Sequence, residues 1–462
     1  MRVSMLTPLP PIKSGVAHYA SMLIPALRKR IELDVISSPE SCVLSPEQQT
    51  TQDPGLRTQD SIRIYQLGNN PHHEWVYNEA MRTPGVIVLH EIVMHHLIVE
   101  MTLARGDVEG YVAAMEANHG AAGAAWARGR AAGLHSEMGN FLLPASIDVA
   151  RRSRGVIVHN EYAAERLRSF GVTVPIHVVV HPFEPHPEAR SRRRELGFAD
   201  DERVIGFLGF VTAAKRPEVV VEAFTRARKI NPKLRLLVVG DPAPNIDMTL
   251  FRGAGIDFLG YAADEEFPSY LASVDRVVNL RYPSAGEASG ILMRSLDAGK
   301  PIAVSDYGPF AEMPDDCVVK IPFDREVDAL AEFMAGELPD MAPAQRRWLE
   351  ENATVDIAAE GYLRVAEGRV RGAIALFPKL KATRHGDTIT LRNFGDETFK
   401  ARTYGEPGYR LIAKWDGGDR WFSLPRDLAP GDEVVLEIPQ HSRLYHALES
   451  IPMLEPEPFD AL

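Results

Sequence analysis

A chain of 462 residues is longer than one hydrophobic core can organise, and its 45% hydrophobic content is that of a globular protein of two or three domains. A net charge of −12 argues against a surface that coats nucleic acid, and basic clusters such as Ser191-Arg192-Arg193-Arg194 read as a solvated helix face. Two distant cysteines, Cys42 and Cys317, form neither a disulfide framework nor a metal-ligand spacing, no apolar run is long enough to span a bilayer, and the proline-broken N-terminus does not read as a signal peptide, so a soluble protein of the reducing cytoplasm is expected.

Arg2–Leu6 reads as a strand, followed by a loop from Thr7 to Gly15 and a helix with Tyr19, Leu23, Leu27 and Ile31 at its apolar positions. Pro8, Pro10 and Pro11 stiffen that loop, and Gly15 leaves one point where a backbone can approach a ligand; an ordinary strand-helix connection has the same appearance. Glu32–Ser37 and Ser61–Leu67 are the next strands, separated by a polar surface loop from Ser38 to Asp60, and Gly68-Asn69-Asn70 ends the second at a turn. Val86–Leu89 is a buried strand that runs into His90-Glu91. In a doubly wound sheet ligands bind outside the carboxyl ends of strands, so His90 and Gly68-Asn69 face one crevice. The histidines at 72, 73, 90, 95 and 96 raise a metal site, a surface cluster or a sugar contact, but no HExxH or Cys/His pattern accompanies them. An alanine-rich helical region runs from Gly110 to Gly133, and Ser153–Val158 and Ile176–Val180 follow as strands. The proline-rich stretch from His181 to Pro187 suits neither helix nor central strand and marks an interdomain linker.

Val204–Leu208 opens a second unit, with Gly209-Phe210-Val211-Thr212-Ala213-Ala214-Lys215 as a loop into a helix, where Lys215 can pair with a diphosphate or simply sit on the surface. Leu234–Val239 reads as a buried parallel strand, and Ile256–Leu259 with Gly260-Tyr261 as another. Val277, Val278 and Leu280 form a short apolar run that Tyr282-Pro283-Ser284-Ala285-Gly286 breaks. From Ser289 onward Ile291, Leu292, Leu296 and Ala298 recur at helical spacing until Gly299-Lys300-Pro301, before the strand Ile302-Ala303-Val304. Val318–Ile321 completes the sheet, and Gln345–Glu367 has a helix pattern with Trp348, Val355, Ala359, Tyr362 and Leu363 apolar. Beyond about residue 373, alternating Thr388-Ile389-Thr390-Leu391 and turns at Asn393 to Asp396, Asp416 to Gly418 and Pro430-Gly431 predict antiparallel β-structure. Leu391, Leu411, Ile412, Val435 and Leu436 are its candidate inward residues, while Tyr409, Trp415 and Trp421 either pack its core or bind glycan.

The stretch from Asn279 to Asp306 carries the chemistry. A helix beginning at Ser289-Gly290 offers unpaired N–H groups and a positive dipole end, and Gly290 lets an anion come close to the main chain. Glu287 beside it is a poor phosphate ligand but a good acceptor for sugar hydroxyls; the alternative is a first-turn acid that merely favours the helix dipole. The order Arg281, Pro283, Gly286-Glu287, Ser289-Gly290, Gly299-Lys300-Pro301 and Ser305-Asp306 resembles the donor-site signature of the retaining family 4 glycosyltransferases, and the resemblance covers roughly residues 1–370.

That resemblance implies an α/β protein of the GT-B fold, in which two Rossmann-like domains face a central cleft: residues 1–181 on the acceptor side, and 182–372 for the nucleotide sugar, ending in a helix that returns to the first domain. Residues 373–462 are expected to add an antiparallel β-sandwich. The resemblance further implies Glu287, Lys215 and His90 as catalytic residues, and Gly15, Gly68, Arg216, Gly260, Tyr261, Arg281, Gly286, Ser289, Gly290, Ile291 and Ser295 as contacts to substrate and nucleotide, with no metal and no cofactor. Two positions depart from the family pattern: Ser295 stands where a second glutamate holds the ribose, and Phe210 where an arginine is common. A serine hydroxyl can still bond a diol. The expected activity is transfer of a sugar from a nucleoside diphosphate to a hydroxyl of a glycan or lipid-linked acceptor, with peripheral association at a membrane in the lipid-linked case and no nucleic-acid partner. A nucleotide-sugar epimerase or hydrolase, and a non-catalytic glycan- or partner-binding protein on a transferase scaffold, are the alternatives.

Overall fold

The structure is a computed structural model that describes residues 2–38 except 13, 62–366 except 135, 184, 186–188 and 264, and, beyond these, 380–385, 388–393, 398, 409–415, 418–423, 426–437 and 443–448. The expected loop from Ser38 to Asp60 and the residue Cys42 lie almost wholly outside the described residues.

The first sheet is built from β1 (Arg2–Leu6), β2 (Glu32–Ile36), β3 (Ile62–Leu67), β4 (Val86–Leu89), β5 (Gly155–Val158) and β6 (Ile176–Val178). They pair in the order β2-β1-β3-β4-β5-β6, and every pair is parallel. The second sheet holds β7 (Arg203–Leu208), β8 (Leu234–Val239), β9 (Ile256–Gly260), β10 (Arg276–Asn279), β11 (Ile302–Ser305) and β12 (Val319–Ile321), again all parallel, in the order β12-β11-β10-β7-β8-β9. These strands are short apolar runs because helices cover both sheet faces, which removes the polar alternation of a one-sided sheet. The central strand β4, for example, is buried at every position. Each sheet reverses its winding once, between β1 and β3 in the first and between β7 and β10 in the second. Those reversals splay the connecting loops apart and open a crevice at the carboxyl ends of the strands.

The expected return to the first domain is present, but as a second helix. The stretch read as one helix from Gln345 to Glu367 is two, Ala342–Asn352 and Val355–Ala366. Between them the Ala353 carbonyl accepts from Phe183 N–H and Thr354 pairs with Phe183 as an isolated bridge, while the Thr354 hydroxyl accepts from Ile357 N–H and so starts the next helix. Helical periodicity persists across such a break and conceals it. The second helix packs on helix Gly15–Arg28: Ala358, Ala359 and Tyr362 join the core of Val3, Met5, Tyr19 and Leu23, and the Tyr19 hydroxyl donates to that of Tyr362 at 3.0 Å. The alanine-rich region is the helical segment Val108–Ala131, broken at Gly120, whose φ is 63°.

Strands β13 (Leu380–His385), β14 (Thr388–Asn393), β15 (Tyr409–Trp415), β16 (Gly418–Ser423), β17 (Glu433–Glu437) and β18 (Arg443–Leu448) form two three-stranded antiparallel sheets, β13-β14-β17 and β16-β15-β18. Leu391 faces inward as expected and is paired with Val434, which is also buried. The inward position expected at Val435 is corrected: it is exposed, because the register puts Val434 opposite Leu391 and successive residues of a strand alternate faces. The side chains of Leu411, Ile412, Tyr409, Trp415 and Trp421 lie outside those described.

Among the described residues these strands pair only with one another and never with either six-stranded sheet. A chain ended near Lys379 is therefore expected to remain soluble with a native-like far-UV circular dichroism spectrum; an aggregated or unfolded product would show that the β-module braces the core.

Candidate functional site

Loops leave both reversal points at the carboxyl ends of the strands. Gly15 follows β1 and Gly68 follows β3; Gly209 follows β7, and Arg281 to Ser289 follow β10. This last loop is built around Glu287. Its Oε1 accepts from Arg281 Nε at 2.9 Å, and its Oε2 accepts from Ser284 Oγ at 2.9 Å and Ala285 N–H at 2.7 Å. The carboxylate thus spends most of its accepting capacity within its own loop. Ser289 then caps helix Gly290–Asp297 by accepting from Leu292 N–H at 3.3 Å, and is held in turn by Asn279 Nδ2 at 3.1 Å. A side chain on Gly290 or on Gly15 would meet nothing within 4 Å, so both backbones border open space. The expected helix start and its accessible glycine are therefore present.

The same loop touches the first domain. Ile92 N–H donates to Ala285 O at 2.8 Å, and Asn160 Nδ2 donates to Gly286 O at 2.9 Å. Gly286 has a φ of 73°, and a Cβ there would lie 3.0 Å from that of Ala163, so both its conformation and the closeness of helix Glu161–Ser169 demand glycine. Glu312 strengthens the contact by accepting from the N–H groups of Glu161 and Tyr162 at that helix's N-terminus, and the Tyr162 and Tyr307 hydroxyls lie 3.1 Å apart.

Positive charge gathers on the second-domain side. Arg281 is mostly buried, and its Nη1 has no hydrogen-bond partner among the described residues, an orphaned cationic donor of the kind an anion would satisfy. Lys215 is buried; its Nζ donates to Leu208 O at 2.7 Å, and burial together with Arg281 holds its pKa well below the usual 10.5. Arg216 departs from the expected anion contact. It takes a left-handed φ of 55°, gives both Nε and Nη2 to Glu326 Oε2 at 2.9 and 2.6 Å, and stacks near Tyr282 and Phe323, so its charge is already neutralised. Ser295 is a second correction. It is wholly buried, and its hydroxyl turns back to Ile291 O at 2.7 Å, so it cannot reach a ribose. Gly260 gives its carbonyl to Gly240 N–H at 2.6 Å, the adjacent Tyr261 is exposed, and Ile291 packs toward Gly209. Phe210 is exposed at the mouth of β7.

His90 is committed differently from the expected sugar contact, because both its ring nitrogens already have protein partners. His159 Nδ1 lies 2.8 Å from Val179 O, which can only accept, so that nitrogen carries the proton and Nε2 is an acceptor. His90 Nδ1, 3.0 Å away, must donate to it. Burial and the neighbouring His159 and His181 hold His90 well below 6.5, which leaves His90 Nε2 an acceptor 2.6 Å from the side-chain amide of Gln66. The Gln66 amide must then present its NH2 to His90 and its oxygen to the Tyr362 hydroxyl, the other amide position lying 3.2 Å from that hydroxyl. Tyr19 packs edge-on against His90 at 4.6 Å and closes the network. The remaining histidines do not converge on this point: His73 bonds Gln66 O, beside Gly68, and His95 bonds Leu143 O.

Glu91, next to His90, has no role in the sequence reading. Burial first and then the charge of Glu287 push its carboxyl up to about 8, against hydrogen bonds from Asn69 and the charge of Arg281. Nothing in its spacing distinguishes it from any other strand-end acid.

Two six-stranded parallel sheets facing one another across this cleft, with helices on their faces, are the GT-B arrangement of two Rossmann-like domains. Residues 188–353 match the family model described as glycosyl transferases group 1, so the second of these domains is a glycosyl transferases group 1 domain. The chain is 30% identical over 182 residues to a D-inositol 3-phosphate glycosyltransferase of Stackebrandtia nassauensis, an alignment covering 35% of this chain and 40% of that protein. It is 29% identical over 214 residues to the protein of the same name from Mycobacterium avium, covering 41% and 47%. The chain thus spans less than half the length of these curated relatives. Among solved structures, sucrose-phosphate synthase from Thermosynechococcus elongatus superposes with a TM-score of 0.51 at 13% identity, over 81% of this chain and 100% of that one, and shares the fold.

The buried imidazoles make a pH prediction. His159 is depressed to about 4, chiefly by burial, from an ordinary 6.5. Between these values the unfolded chain binds a proton that the folded chain refuses, so the stability present above about 6.5 is lost as pH falls toward 4. The loss is about 3 kcal/mol at pH 4 for His159 alone. Denaturant unfolding across this range should show the decline, and His159→Gln should make it shallower, the other buried histidines supplying the remainder.

Proposed function

We propose that the protein is a retaining glycosyltransferase that moves a sugar from a nucleoside diphosphate to an acceptor hydroxyl. The observation that carries this reading is the convergence of the orphaned Arg281 guanidinium, the buried Lys215 and the open helix start at Gly290 on one cleft of a group 1 domain. As the glycosidic bond breaks, the anomeric carbon gains oxocarbenium character and negative charge grows on the diphosphate. Arg281, Lys215 and the N–H groups at Gly290 stabilise that charge in a site with little water. An arriving diphosphate favours the charged form of Lys215, opposing the burial that depresses it. The acceptor enters on the face of the leaving phosphate, whose oxygen takes the acceptor's proton, so no protein nucleophile is needed. Glu287 fixes the loop and offers its remaining lone pair to a sugar hydroxyl, while the His90 ring, oriented by Gln66 and His159, forms part of the wall beside the sugar.

The acceptor is a hydroxyl on a glycan or lipid-linked glycan, and in the lipid-linked case the protein works at a membrane surface from the cytoplasm. No helix among the described residues is long and apolar enough to cross a membrane. A phosphorylated cyclitol, the acceptor in the names of the curated relatives, is the comparison compound.

Release of free nucleoside diphosphate from a panel of donors, with and without acceptors, tests this reading. Acceptor-dependent release supports transfer; consumption without any acceptor points to a hydrolase or epimerase, and no turnover or binding of any donor to a scaffold. Arg281→Ala should lower kcat by about a hundredfold, in the range for removal of one charge-stabilising donor. Glu287→Ala should lose activity to a similar degree, since it releases Arg281 and the loop together, and wild-type turnover in that variant would refute the assignment.

A further inference from the structure

The loop that carries Glu287 is completed by the other domain. Arg281, Ser284 and the N–H of Ala285 fix it from within, but the carbonyls of Ala285 and Gly286 take their hydrogen bonds across the interface, from Ile92 N–H at 2.8 Å and from Asn160 Nδ2 at 2.9 Å. Ile92 contributes only its backbone, whereas the second bond depends on a side chain. The Asn160 amide can stand only one way round: its Oδ1 accepts from Ala163 N–H at 2.8 Å, capping helix Glu161–Ser169, so Nδ2 is the group left to face Gly286 O. We propose that Asn160 is a positioning residue of the donor site, a first-domain side chain that holds the Gly286 carbonyl and thereby sets the placement of Glu287 and Arg281 in the second domain. This inference rests on the donor-site reading above and names a residue that acts through the loop of that site.

The physical link is one peptide plane. Gly286 O and Glu287 N belong to the same rigid amide, so holding that carbonyl restrains the direction from which the Glu287 side chain leaves the backbone. Gly286 does little by itself to resist rotation, since glycine accepts a positive φ, 73° here, as readily as a negative one. Its N–H is tied inside the loop to Ser284 Oγ at 3.1 Å and its carbonyl outside the loop to Asn160, and these two bonds supply the restraint that the residue lacks. Asn160 and Gly286 are both buried, where an unpaired carbonyl is costly. The dependence runs both ways. At the start of helix Glu161–Ser169 the N–H groups of Glu161 and Tyr162 go to the Glu312 carboxylate of the second domain, and that of Ala163 goes to Asn160. One side chain therefore finishes the helix start of one domain and the donor loop of the other.

Two measurements on the full chain separate this proposal from a capping role alone and from the reading beneath it. Asn160→Asp keeps the shape and the cap but has no N–H for Gly286 O, and Asn160→Ser keeps the cap without adding charge, so a residue that only caps its helix would be silent in both. The first measurement needs no substrate. Hydrogen exchange followed by mass spectrometry should quicken about tenfold in the peptide covering residues 281–290 of both variants, while helix Pro217–Ile230 keeps its wild-type rate. The second is donor turnover. Each variant should lower kcat about tenfold, but adding Asn160→Ser to Glu287→Ala, in which the loop is already released, should cost less than about threefold more. Exchange that is unchanged in this peptide, or that quickens equally throughout the chain, would overturn the proposal, and so would losses that multiply in the double variant. A wild-type protein that turns over no donor overturns the donor-site reading itself, and this proposal with it.

Discussion

The arrangement of the cleft depends on one carboxylate satisfied within its own loop. Glu287 gathers Arg281, Ser284 and Ala285, and in doing so sets the backbone from which Ala285 O and Gly286 O reach Ile92 and Asn160 of the other domain. A charged acceptor that takes several hydrogen bonds is among the stronger restraints a loop can have, and it acts here where two separately wound sheets must meet. The loop thereby positions both the cationic donor left over on Arg281 and the helix start at Gly290. Its shape and its charge are products of the same three hydrogen bonds.

The first domain solves a related problem with neutral groups. Gln66, His90, His159, Tyr19 and Tyr362 come from the ends of three strands, the first helix and the returning helix, and their donors and acceptors match only in one consistent arrangement. Such a buried network is stabilising when complete and costly when a single member is missing, so it ties the position of the returning helix to the orientation of His90. Because Ala353 and Thr354, just ahead of that helix, also hold the interdomain linker at Phe183, the crossing between domains is tied to the start of the returning helix.

Much of this was legible in the residues. Short apolar runs ended by glycine and polar residues marked the parallel strands because burial on both faces writes hydrophobicity into every position, and β1, β4 and β8 have the expected bounds. Glu287, Ser289 and Gly290 could be found because turn, cap and helix start are local features with fixed spacing. Other positions resisted. Arg216 looked like a free cation until Glu326, 110 positions away, proved to hold it. Ser295 looked like a remnant of a ribose contact, yet helical geometry turns its hydroxyl to Ile291 and the fold buries it. Val435 and Val434 are indistinguishable by composition, and only the strand register separates the inward from the outward one.

The sequence by itself determined the periodicities, the breaks between elements, the helix cap and the order of residue types in the loop after β10, all of which are set within a few residues of one another. The tertiary structure decided which charges are already paired, which imidazole nitrogens are occupied, and which hydroxyls are buried. Those properties depend on the distance and desolvation of groups far apart in the chain, which no local spacing encodes.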